Sequence, residues 1–149
     1  MSTAHRITPS TKQAQRHLSQ KIRWAVEPDN PRLLQQFLQQ KADTAGVSQA
    51  RRRQHYLTQF ILLLDTFSDD CLPPHWRRLC LDNIYQPLHA LQRLADCQAS
   101  QTQVLALKNE LRIISHYFQV GLNNPVAVPQ PQRATDPIRQ PRSTVDGRI

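Results

Sequence analysis

Gly46-Val47-Ser48-Gln49-Ala50-Arg51-Arg52-Arg53, continuing through Gln54-His55-Tyr56 into the apolar run Leu57 to Leu64, decides how this chain is read. Gly46 marks a turn and Ser48 supplies a side-chain oxygen suited to cap a helix start. Three arginines then occupy the opening of that helix, where positive charge opposes the helix dipole. A polyanion outside the helix is the simplest agent to offset that arrangement. From there the helix runs to about Phe67, with Leu57, Phe60, Ile61, Leu64 and Phe67 expected on its buried side.

The sequence on either side reads as further helices. Residues 12 to 26 form a short helix with Leu18, Ile22 and Val26 at four-residue spacing, closed by Glu27-Pro28-Asp29. Asp29-Asn30-Pro31 opens the next, whose apolar face is Leu33, Leu34, Phe37 and Leu38. Asp69, Asp70 and the Pro73-Pro74 pair interrupt the chain after Ser68. A longer helix follows from about His75 to Cys97, with Trp76, Leu79, Cys80, Ile84, Leu88, Leu91 and Leu94 along its stripe. Pro87 predicts a kink or a split within it. Ser100 or Thr102 caps the last helix, which buries Val104, Leu107, Leu111, Ile114 and Phe118 and ends at Gly121 ahead of Asn124-Pro125.

The expected fold is therefore all-α: a compact bundle of four principal helices, with a possible fifth short N-terminal helix and flexible basic tails. The expected divisions are a basic arm over 1–28, a helical domain over 29–124 and a disordered Pro/Arg-rich tail over 125–149. At 149 residues with 39% apolar content, the chain has material for one modest core.

Formal net charge is +8, from 19 Lys plus Arg and 11 Asp plus Glu. Residues 1–28 carry five basic and one acidic group, residues 29–121 ten and eight, and residues 122–149 four and two, giving excesses of +4, +2 and +2. A near-neutral body with basic flanks suits contact with a phosphate backbone; cationic tails on an ordinary soluble protein give the same balance. Three cysteines, Cys71, Cys80 and Cys97, form no disulfide framework and point to a reducing, cytoplasmic setting. The N-terminus carries no long apolar segment, and Phe60 to Leu64 is too short to span a bilayer. No membrane partner is expected.

Signs of chemistry are few. Cys71, His75 and Cys80 are the one metal-like grouping, but structural zinc takes four ligands in recognisable pairs, and Cys80 falls on an apolar stripe. No metal and no cofactor are expected. Three glycines in the whole chain do not build a Gly-rich phosphate loop, and the six histidines form no triad-like pattern. Nothing here argues for an enzyme.

Two polar helix faces argue instead for nucleic acid. Arg51, Arg52, His55 and Gln59 avoid the stripe of the central helix, and Lys108, Asn109, Arg112 and His116 project from the last helix away from Leu107, Leu111 and Phe118. Arg and Lys contact phosphates, while Arg, Asn and Gln also read base edges in the major groove. Two such helices could straddle a duplex. The alternative is a pair of ordinary solvated charged faces. A helix-turn-helix reading of Ala42, Gly46, Val47 and Ser48 fails because Arg52 would occupy a buried position.

A longer pattern covers residues 31 to 126. Leu33-Leu34-Gln35-Gln36-Phe37-Leu38, then Gly46-Val47-Ser48, Arg53, Tyr56 and Phe60 to Leu64 resemble the first two helices of the core-binding (SAM-like) domain of tyrosine recombinases and phage integrases. Leu81-Asp82-Asn83-Ile84-Tyr85-Gln86-Pro87-Leu88 resembles the start of that domain's third helix. Leu111 to Phe118, followed by Gly121-Leu122 and Asn124-Pro125, resembles its fourth helix and exit.

The resemblance implies a helical clamp on one face of a recombination site, with Arg51, Arg52, His55, Lys108 and Arg112 at or near the duplex. A complete family member continues into a catalytic domain; after Pro125 only about 24 residues follow here, and Tyr56, Tyr85 and Tyr117 lie inside the clamp. The expectation is a non-catalytic module that binds double-stranded DNA: a truncated recombinase or a site-occupying regulator, with a recombinase or another protein as possible partner. The alternative is a helical adaptor that holds an acidic partner through its basic tails.

Overall fold

The computed structural model describes residues 11–40 and 46–123, and every described element is a helix. They are α1 (Thr11–Arg23), α2 (Pro31–Leu38), α3 (Gln49–Ser68), α4 (Pro74–Asn83), α5 (Tyr85–Arg93) and α6 (Gln98–Asn123). The expected all-α bundle is what the chain forms. The expected tail over 125–149 lies outside the described residues.

Local chemistry sets most helix ends. Ser48 caps α3 as expected: its Oγ accepts the backbone N–H of Arg51 at 3.3 Å, behind Gly46 at φ +95°. Pro31 opens α2, but the Asn30 side chain donates to Glu27 Oε2 at 2.9 Å instead of capping. α1 stops where Ala25 takes φ +47°, with Val26 N–H bonded to Lys21 O and Ala25 N–H to Ile22 O. That pair of bonds is a Schellman closure, built here on alanine where glycine is usual.

The long helix expected from His75 to Cys97 is two helices. The break falls at Ile84 rather than at Pro87, because a proline ring collides with the carbonyl four residues earlier, here that of Asn83. α5 then ends at Arg93 and α6 begins at Gln98, before either expected cap. Ser100 sits in the first turn of α6, where its Oγ accepts the Cys97 N–H at 3.1 Å, one half of a capping box. Gly121 does not end α6, which continues to Asn123.

The directions of the helices follow from their cross-links. The end of α1 pairs with the end of α3 through Arg23 and Asp69 at 2.8 Å. The start of α6 lies by the start of α3 through Arg53 and Asp96 at 2.7 Å, and Phe118 meets Phe67 at the far end. α1, α3 and α6 are therefore parallel. α2 and the α4–α5 pair run back against them: Gln59 Nε2 donates to Phe37 O, Arg77 Nε to Phe67 O, and Gln49 Nε2 to Leu94 O.

α3 is central and packs on α1, α4, α5 and α6. This position widens its buried arc: Gln59, Phe60, Leu63, Leu64, Thr66 and Phe67 are buried, while Ile61, expected inside, is 45% exposed. The core joins Phe60, Leu63 and Phe67 to Trp76 and Cys80 of α4, Ile84 at the break, and Leu88 and Leu91 of α5, with Val104 and Leu111 from α6. α1 is no appendage. Ile22 is fully buried, and Trp76 Nε1 donates to its carbonyl oxygen at 3.0 Å.

Candidate nucleic-acid interface

The α3 residues singled out by sequence divide by role once α2 and α1 are in place. Gln59 is buried, and its amide is committed to the carbonyl of Phe37 at the end of α2. This removes it from the exposed face on which it was expected. His55, one turn earlier, places Nε2 2.7 Å from the Gln40 carbonyl oxygen. A carbonyl only accepts, so that nitrogen carries the proton. Together the two side chains fasten the C-terminal end of α2 to α3. Arg53 reaches Asp96, and Arg52 is half-buried.

Arg51 is different. It is exposed and lines a groove of about 680 Å³ between α1 and α3. Lys12 and Arg16 project into the groove from α1, His55 borders it from α3, and Phe37 and Gln40 lie at its α2 side. Gln15, Gln20 and Gln54 add amide groups, and Ser19 and Thr58 add hydroxyls. No carboxylate lines it among the described residues. Parallel packing creates this cluster, since it sets the first two turns of α1 beside the first two turns of α3. Three cations flanked by neutral donors give this groove a positive potential.

Lys12 and Arg16 were not legible as site residues, because α1 read as part of a basic arm rather than of the folded body. The signal was the +4 charge excess of residues 1–28.

The α6 set lies elsewhere. Gln103 and Ala99 face a cleft beside Ala50, Arg53 and Gln54 of α3. Lys108 and Arg112 are about 140° and 180° round the helix from Gln103, at ~100° per residue. Arg112 and His116 border a small cleft with Ile113, and Arg112 Nη2 donates to Asn109 Oδ1 at 3.0 Å. Lys108, Asn109, Arg112 and His116 thus share one helix but do not close on the groove that holds Arg51.

The residues of the metal-like grouping have separate environments. Cys71 is exposed, His75 Nε2 pairs with Asp29 Oδ1 at 3.1 Å, and Cys80 is buried, which pushes its thiol up to about 12. Among the described residues no three His, Cys, Asp or Glu side chains gather as a metal site, and no helix is long and apolar enough to cross a membrane. No protein-family model matches the chain, and no curated protein or solved structure is significantly similar to it.

Proposed function

We propose that this chain is a non-catalytic module that binds double-stranded DNA through its phosphate backbone, with the α1–α3 groove as the contact surface. One observation carries the reading: Lys12, Arg16 and Arg51 converge from two helices on a groove with no carboxylate among its described lining residues. The recombinase-like pattern of the sequence supports the same ligand class, with one change of geometry. The second set of cations comes from α1, beside Arg51, rather than from Lys108 and Arg112 on α6.

Titration of the full chain against a duplex across a salt series tests this. Each phosphate contact contributes about 0.9 to the slope of log affinity against log salt, so neutralising Lys12, Arg16 and Arg51 to Gln should flatten that slope by about 2.7. No binding at low salt would sink the proposal. An equal flattening from Lys108→Gln with Arg112→Gln would move the contact surface to α6. A peptide of residues 124–149 that matched the affinity of the whole chain would assign binding to the tail.

A further inference from the structure

α6 is the longest helix and packs on α3 and α5 through Val104, Leu107, Leu111, Ile114 and Phe118. Its opposite side is not uniformly polar. Leu105, Ile113 and Tyr117 are 65%, 58% and 74% exposed. They stand at intervals of eight and four residues, on one inclined i, i+4 ridge that turns about 120° round the helix from Leu105 to Tyr117. Large side chains held in water along one ridge are unfavourable, and a covering surface would remove that cost.

The charges beside the row say what fits over it. At ~100° per residue, Glu110 lies about 70° to one side of the row's centre and Arg112 about 90° to the other. Both are exposed. Asn109 lies close to the row, between Leu105 and Ile113. A helix with acid on one flank and base on the other is complementary to a copy of itself in one orientation only. In a parallel pair the left flank of one helix faces the right flank of the other, which sets Glu110 against Arg112 of the second copy, twice. In an antiparallel pair like flanks meet, so Glu110 faces Glu110 and Arg112 faces Arg112. Asn109 favours the same choice, because a polar residue in the seam of two parallel helices meets its own counterpart at equal height.

We propose that the outer face of α6 is a self-association surface, on which two copies of this chain pair with their α6 helices parallel about a two-fold axis. Leu105, Ile113 and Tyr117 form the buried seam, and Glu110 with Arg112 sets the orientation. Arg112, which already donates to Asn109 within the monomer, turns to the carboxylate of the other copy. The pairing does not depend on nucleic acid binding and is read without it.

Sedimentation velocity of the full chain without DNA, up to about 100 µM, is the test. The expected result is a mass rising with concentration toward twice 17.2 kDa. Ile113→Asp should hold the chain at the monomer mass while leaving the far-ultraviolet helical signal unchanged. Glu110→Arg or Arg112→Glu alone replaces two attractive contacts by two repulsive ones and should weaken pairing about tenfold. The double variant E110R/R112E restores the complementarity and should recover the wild-type mass. A monomer at every concentration overturns the proposal, and so does a dimer indifferent to Ile113→Asp. A double variant no better than either single variant overturns the parallel arrangement.

Discussion

The indole Nε1 of Trp76 donates to the carbonyl oxygen of Ile22 at 3.0 Å, with both residues fully buried. The bond ties the first turn of α4 to the last turn of α1 across 54 positions of sequence. It satisfies the one polar atom of a large aromatic side chain and gives a second donor to a carbonyl that already accepts the Ala25 N–H. Trp76→Phe keeps an aromatic ring but leaves the site under-filled and the Ile22 carbonyl with the Ala25 N–H alone. Urea unfolding followed by circular dichroism should show a loss of about 2–3 kcal/mol. A loss below half a kcal/mol would mean that α1 is held by its other contacts.

Arg77 is buried to 5% exposure and serves two helices at once. Its Nε donates to Phe67 O at 2.8 Å, its Nη2 lies 2.9 Å from Asp70 Oδ1, and its guanidinium stacks 5.4 Å from the Phe118 ring centre. Arg77→Met should cost about 2–3 kcal/mol, since the stack is partly kept while a buried carbonyl loses its donor. Asp70→Asn should cost under about 0.5 kcal/mol, because the Asp70 side chain is largely in water and the pair is screened there. Equal losses from the two variants would show that the ion pair, not the carbonyl bond, holds the joint.

Acid should weaken the fold through carboxylates that serve as connectors. The hydrogen bond from Arg23, then the Cys71 backbone N–H, hold the Asp69 carboxyl below its ordinary value. Asp96 is lowered by its own backbone N–H and by Arg53, and Glu27 by Asn30 and Lys21. A lowered carboxylate contributes stability that is complete above the unfolded value of about 4 and is lost as pH falls through the folded value. Melting temperature measured from about pH 7 down to about pH 2.5 should therefore decline at the acid end. Asp69→Asn should shallow that decline, and an unchanged acid limb would remove Asp69 from the account.

The three thiols should react in a set order. Cys97 stands at the start of α6, where the Ser100 hydroxyl 3.3 Å from its sulfur, backbone N–H groups and the helix dipole favour the thiolate and lower its pKa. Burial acts in the opposite sense on Cys80, up to about 12. Alkylation of the folded chain near neutral pH, read by peptide mass analysis, should modify Cys97 first and Cys80 only on unfolding. Ser100→Ala should slow Cys97. Early labelling of Cys80 would contradict its place in the core.

Much of the fold was legible because a helix that buries one side writes that side into its sequence. Most of the stripes of α4, α5 and α6 was readable, though Arg77, Leu81, Pro87 and Ala90 are buried as well, and Ser48 announced the start of α3. α3 itself was harder. Its periodicity points to Ile61, yet packing on four neighbours buries Leu63 and Gln59 instead, and no single-face pattern describes a helix covered on several sides. The break at Ile84 follows from Pro87, but only after counting back to the carbonyl its ring displaces.

The candidate interface was half legible. Arg51 stood out because it opposes the dipole of its own helix. Lys12 and Arg16 did not, since their meaning depends on α1 running parallel to α3, and periodicity within one helix carries no information about its direction relative to another. The same gap explains why Lys108 and Arg112 read as a facing jaw: spacing shows that a residue leaves the core, not toward which neighbour it points.

The central place of α3 bears on how the chain comes apart. α1, α4, α5 and α6 all pack on it, and α2 is fastened to it by Gln59 and His55, so removing it leaves the rest without a shared core. Among the described residues no helix can peel away as a stable unit of its own, and loss of α3 removes the shared core. Unfolding should be a single all-or-none transition, with α1 melting together with α6.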